Sequence, residues 1–191
     1  MKILPLALLL IAVAPALAQS DWTTADTADL HTLDQVRYMQ LTPAEKSSLQ
    51  ALTAPALQRC AAGDPSFDAA DAFNHARARR ADLGNGVSGF VVEGSGCLCS
   101  ALGNCSYWIV TTDMRTLFEG TAQNYALLTS QSGDHYDLVT VTHLSATESL
   151  RTLYTFNGTQ YHRAQCASVT LANVYGEMRM KPTIKIQDCR Q

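Results

Sequence analysis

Three of the six cysteines fall within nine residues, at Cys97, Cys99 and Cys105. Thiolates at this spacing, joined by a histidine, would make a four-ligand zinc set. The usual pair of cysteines with two residues between them is missing, however, and in an exported chain thiols oxidise. Disulfides are the expected chemistry, with no metal and no cofactor. The histidines suggest a second kind of site. His135 and Asp137 lie two apart where a loop enters a strand, His143 ends that strand, and His162 sits on the returning hairpin. Asp137, His143 and Ser145 would be the residue types of a hydrolase triad. The four residues His135, Asp137, His143 and His162 would suit a small hydrolase or a metal-dependent enzyme. Against this, the chain has neither a Gly-x-Ser-x-Gly elbow nor an oxyanion-loop signature. Residues 144–149 read more simply as a Ser/Thr-rich turn. Asp134 and Asp137 flank a turn, where aspartate serves backbone hydrogen bonding. Glu93 reads as a solvated strand end. No catalytic residue is assigned, and the chain is read as a non-enzyme.

The start of the chain sets the redox compartment. Met1-Lys2 is a short basic start, the run from Ile3 to Val13 is apolar apart from Pro5, and Ala16-Leu17-Ala18 is a small-x-small cleavage signal. Residues 1–18 read as a signal peptide cleaved after Ala18, too short to span a bilayer. The mature chain is expected in the periplasm or outside the cell. Without Lys2, 13 basic residues face 17 acidic ones, a net charge of −4. That balance argues against a nucleic-acid partner, which would require a basic face.

The elements that must position these residues are a helix and a series of short strands. Thr42-Pro43-Ala44-Glu45 is a capping box with proline at the first helical position. Leu49, Leu52, Leu57 and Cys60 follow near helical spacing, and Pro55 is expected to kink or split the helix. Residues 19–66 form an arm, with one helical turn near 30–39, followed by this helix. Residues 67–83 suggest a short helix and then an edge strand. Strands are expected at 87–93, 106–112, 124–130, 137–143, 150–156, 159–164, 167–175 and 178–187, rich in Val, Thr, Tyr and Ile and bounded by turn residues. Asn157-Gly158 predicts a two-residue hairpin turn with both residues at positive φ. Pro182 marks the last strand as an edge. The fold class is α+β: an N-terminal helical segment packed on a predominantly antiparallel, meander-like β domain over 67–191, stapled by disulfides.

Six cysteines allow fifteen pairings. Cys97 and Cys99 would point to opposite sides of an extended chain and are poor partners for each other. One of them is expected to close on Cys105 and the other on Cys60. A hairpin centred between Glu177 and Met178 would set Cys166 opposite Cys189.

Residues 81–92 can be laid against residues 129–140. Each stretch is a loop of Gly, Asn or Asp followed by an apolar β run. This unit resembles the loop-strand unit of integrin-type FG-GAP or VCBS repeats. It also resembles secreted bacterial proteins with a Gly-Asn-Cys loop, here Gly103-Asn104-Cys105, and an Asp-Leu-Val strand, here Asp137-Leu138-Val139. The resemblance covers residues 75–166. Such repeats hold calcium through several aspartates. This chain keeps Asp82 with Asn85 in the first unit and Asp134 with Asp137 in the second, and two units are too few for a propeller.

The function expected from these features is a secreted or periplasmic binding or inhibitory module. Its cysteine loop would present Leu98, Ser100, Leu102 and Asn104, with Trp108 beside it, to an envelope or secreted protein. Of the adjacent Tyr107 and Trp108, one is expected in the core and the other in solvent. A purely structural envelope protein is a further alternative.

Overall fold

The structure, a computed structural model, describes residues 22–23, 41–62, 68, 73, 77–173 and 180–189. The expected signal peptide and the arm's helical turn near 30–39 lie outside these residues. Helix α1 (Pro43–Ala61) begins with the anticipated capping box: Thr42 Oγ1 accepts from the Glu45 amide, and the Glu45 carboxylate accepts from the Thr42 amide. Leu49, Thr53, Ala56 and Leu57 form its buried stripe. The expected split at Pro55 does not occur. Pro55 and Ala51 both lie on the solvent side, where water can solvate the Ala51 carbonyl that the proline leaves unbonded. Arg80 pairs with Glu45 and ties the first turn of α1 to the sheet beneath.

Nine strands form two antiparallel meanders. The first sheet runs β1 (Arg77–Gly84), β2 (Val87–Glu93), β3 (Cys105–Thr111) and β4 (Thr116–Ala122). The second runs β5 (Asn124–Ser132), β6 (His135–His143), β7 (Glu148–Phe156), β8 (Tyr161–Asn173) and β9 (Met180–Gln187). Strand β2 is buried without interruption from Gly89 to Val92 because both faces of its sheet are covered. Phe90 and Val92 face α1 together with Trp108 and Val110, whereas Val91, Tyr107 and Ile109 face the second sheet. Tyr107 and Trp108 are therefore both buried, not divided between core and solvent. The far face of the second sheet is capped by Trp22, which packs on Val139, Leu153 and Ala167 and donates from Nε1 to Gln165 Oε1 at 3.2 Å. The layers run α1, first sheet, second sheet, Trp22.

Other sequence expectations are revised. The tight turn is Asn85-Gly86, with φ of 47° and 77° and Gly84 paired with Val87. At Asn157-Gly158 only the glycine has positive φ, and the loop takes four residues between the paired Phe156 and Tyr161. There the Asn157 carboxamide oxygen accepts from the amides of Thr159 and Gln160, so asparagine acts through its side chain. The separate strands at 159–164 and 167–175 are one strand, β8. Its register shift, between the Gln165 and Arg163 pairings, falls where the sequence suggested a break. Strand β4 was not anticipated. Among the described residues of 67–76, Phe73 is helical and buried against α1, and the edge strand that follows is β1.

Candidate functional site

The cysteine loop is built by three constraints. Gly96–Leu98 is a 3₁₀ turn begun by Gly96 at φ 55°, with the Leu98 and Cys99 amides donating to the carbonyls of Ser95 and Gly96. The turn sends Cys97 toward the end of α1, where it bonds Cys60 with Cα atoms 5.9 Å apart. Cys99 then pairs with Cys105 across a β-bridge and a disulfide. The two open alternatives are thereby resolved. The reason differs from the one expected, since residues 96–98 are coiled, not extended. Inside the Cys99–Cys105 ring, the Ser100 amide donates to the Asn104 carbonyl at 2.8 Å and the Gly103 amide to the Ser100 carbonyl at 2.9 Å. The third disulfide, Cys166–Cys189, lies near the base of the β8–β9 hairpin. The register sets Gln187 opposite Cys166, two residues from the expected pairing.

Asn104 is not offered to a partner. Its Nδ2 donates to the His143 carbonyl and its Oδ1 accepts from the His143 amide, both at 2.8 Å. This two-point clamp fixes the loop to the end of β6. Leu98 and Trp108 are buried in the core beneath α1 and leave the exposed set. Ser100 and Leu102 remain at the surface, Leu102 at 46% exposure. Leu144, which follows the clamped His143, is 52% exposed. Leu171 is 38% exposed, and its amide donates to the Thr147 carbonyl of the same β6–β7 turn. Three exposed leucines thus ride on backbone segments joined at one end of the sandwich. The sequence reading missed Leu144 and Leu171 because their grouping depends on the clamp.

The candidate catalytic residues do not converge. His135 and His143 sit at opposite ends of the nine-residue β6, about 27 Å apart along an extended strand. The His135 ring is buried, stacked on Phe156 with centroids 3.8 Å apart, and its Nδ1 lies 2.6 Å from Asp134 Oδ1. That hydrogen bond holds the Asp134 carboxyl below the usual carboxylate range. Asp137 is buried and accepts from Ser132 Oγ at 2.6 Å. Ser145 Oγ accepts from the amides of Thr147 and Glu148, and His162 Nε2 lies 3.1 Å from Thr155 Oγ1. Among the carboxylates of the two loop-strand units, Asp82 accepts from the Gly84 amide. Among the described residues, no three His, Cys, Asp or Glu side chains gather to hold a metal ion. No helix among them is long and apolar enough to cross a membrane.

Two depressions border strand β4. One, of about 490 Å³, lies between α1 and the cysteine loop and includes Arg59, Ser100, Ser106 and Thr121. The other, of about 720 Å³, opens between β4 and the inner face of β6, β7 and β8. Comparison of the chain with known protein families, with characterised proteins and with solved structures finds no match.

Proposed function

We propose that the chain is an exported binding module whose recognition surface is the clamped end of the sandwich, with Ser100, Leu102, Leu144 and Leu171 as contacts. The observation that carries this reading is the fixing of the tip. Two disulfides and the Asn104–His143 clamp hold a loop whose leucine still faces solvent. A loop held in one conformation gives up little entropy on binding, and exposed apolar side chains on a rigid rim are typical contact residues. Export follows from the leader-like residues 1–18 and fits three disulfides, which persist in oxidising compartments. The partner is then an envelope or secreted protein.

The test is affinity enrichment from the host's envelope and secreted fractions with the wild-type protein and with Leu102→Asp and Leu144→Asp. Both substitutions lie at exposed positions, so melting temperatures should stay close to wild type. A protein retained by the wild type and lost with either variant is the expected result. A captured set unchanged by both variants would overturn the assignment of this surface.

A further inference from the structure

The two meanders do not match in width. The first has four strands and the second five, and β4 is the edge of the first where it meets the open part of the second. The cleft there is lined on one side by Thr116, Phe118 and Glu119 of β4, and on the other by Thr152 and Tyr154 of β7 and Arg163 of β8. Strands within a sheet are spaced about 4.8 Å apart. One more strand beside β4 would bring the first sheet to five and lie over the part of the inner face that the described residues leave open, at Tyr154 and Arg163.

The backbone of β4 is oriented to receive it. Ser106 of β3 turns its carbonyl toward β2, accepting from the Gly94 amide at 2.8 Å. Its partner in β4, Thr121, must then face away from β3, and Thr142 Oγ1 reaches the Thr121 carbonyl from the second sheet at 3.2 Å. Antiparallel pairing alternates, so Glu119, two residues earlier in unbroken register, also turns its amide and carbonyl outward. The edge therefore offers both backbone groups of Glu119 and the amide of Thr121. The other edges carry the usual protections. In β1, Arg79 and Arg80 lie over aromatic rings. Strand β5 breaks register between Leu127 and Gln131. Strand β9 holds Pro182. Strand β4 has no proline, lysine or arginine, and its own register shift falls at Leu117, leaving the pairing from Phe118 to Ala122 regular.

Charge selects the occupant. Glu119 is exposed on the edge and Arg163 across the cleft, and neither has a side-chain partner among the described residues. A second copy of β4 docking antiparallel about Glu119 would set two carboxylates against each other, and one docking about Gly120 would set each Glu119 against a threonine, so neither register gives the carboxylate a cation. We propose that β4 and this cleft bind one extended segment of a partner protein by strand addition. A lysine or arginine of the segment pairs with Glu119, and small or β-branched side chains face the Thr152 and Tyr154 floor. This inference rests on the reading of the chain as a binding module but uses a different surface, so the two fail separately.

The probe is a synthetic capped peptide, matched to the seven residues of β4, in which threonine and valine alternate around a central lysine. Controls carry glutamate at the central position or N-methyl groups on alternate residues. The peptides are titrated into the full protein, with amide exchange followed residue by residue. Binding of the lysine peptide should protect the Glu119 and Thr121 amides. The glutamate peptide should bind about two- to fivefold more weakly, as expected for a cross-strand charge pair. Glu119→Lys should reverse that order, and N-methylation should abolish binding. Leu102→Asp should change none of these results, whatever its effect on partner capture. Peptide binding without protection at Glu119 and Thr121, no reversal in Glu119→Lys, or no binding at all would overturn the proposal. So would concentration-dependent dimerisation that protects β4 without peptide, which would assign the edge to a second copy.

Discussion

Removing the disulfides one at a time should destabilise the protein in order of the loop each closes. The bonded cysteines are 37 residues apart for Cys60–Cys97, 23 for Cys166–Cys189 and 6 for Cys99–Cys105. A cross-link removes loop-closure entropy from the unfolded chain, and this term grows with the logarithm of loop length. It comes to about 4, 3.5 and 2 kcal/mol respectively. Cys166 is also buried, so its loss adds a packing defect to the entropic term. The constructive comparison is therefore between Cys60→Ala/Cys97→Ala and Cys99→Ala/Cys105→Ala, whose residues are not fully buried. Equilibrium urea unfolding, followed by circular dichroism, should show the first pair less stable than the second by about 1.5 to 2 kcal/mol. Partner binding should respond in a different order. The Cys99–Cys105 bond closes the ring that carries Leu102, so its loss should weaken capture even where stability changes least. Equal destabilisation by the two pairs would refute the loop-length reasoning and indicate that the core under α1, not the cross-link, holds the helix in place.

Two further perturbations test the packing of the second sheet. Trp22→Ala should cost about 3 to 5 kcal/mol in urea unfolding, the usual range for deleting a buried large aromatic side chain; Trp22→Phe, which keeps most of the packing but loses the Gln165 hydrogen bond, should cost far less, and a neutral Trp22→Ala would mean the indole does not hold this face. The Tyr161 hydroxyl donates to the Tyr136 carbonyl at 2.8 Å, and burial, reinforced by the Asp137 and Asp134 carboxylates, raises its pKa above the ordinary 10.0. The folded state thus favours the neutral phenol, so this contribution to stability is full below pH 10 and is lost as pH rises above it; the alkaline fall in urea midpoint should shrink in Tyr161→Phe, and an unchanged fall would refute the assignment.

The sequence carried the elements whose signal is local. Strand β2 was bounded correctly because its apolar run ends in Gly and Glu at either side, and α1 because Thr42, Pro43 and Glu45 mark its start. The cysteine pairings were narrowed to two arrangements, and only the 3₁₀ turn at Gly96–Leu98 decides between them. What could not be read depends on the layering. Strand β4 buries only Leu117, Phe118 and Ala122, which do not alternate, so its pattern is weak, and pairing with β3 makes it a strand. Leu98 and Trp108 looked presentable because nothing in their neighbourhood shows that α1 covers that face. Trp22 was passed over for the same reason, since its partners lie more than a hundred residues away. His135 is the converse case. A histidine beside aspartates reads as chemistry, but here the ring fills a space between Phe156 and Tyr161.

The layering also limits where recognition can occur. The outer face of the first sheet is taken by α1, the inner faces of the two sheets largely by each other, and part of the outer face of the second by Trp22, over Val139, Leu153 and Ala167. Broad sheet faces, the usual platforms of β proteins, are thus mostly committed to the core. Besides the part of that outer face around Leu171, what remains are loop ends and strand edges, and these expose little apolar area unless something holds them open. The cross-links do this at one end: without the Cys99–Cys105 ring and the Asn104 clamp, Leu102 would be free to collapse onto the neighbouring core. At β4 the same role falls to the mismatch of four strands against five, which keeps an edge apart from the sheet it would otherwise meet. A disulfide between cysteines six residues apart contributes about 2 kcal/mol by loop entropy, the least of the three cross-links. The bond makes better physical sense as a device for fixing the shape of an exposed tip.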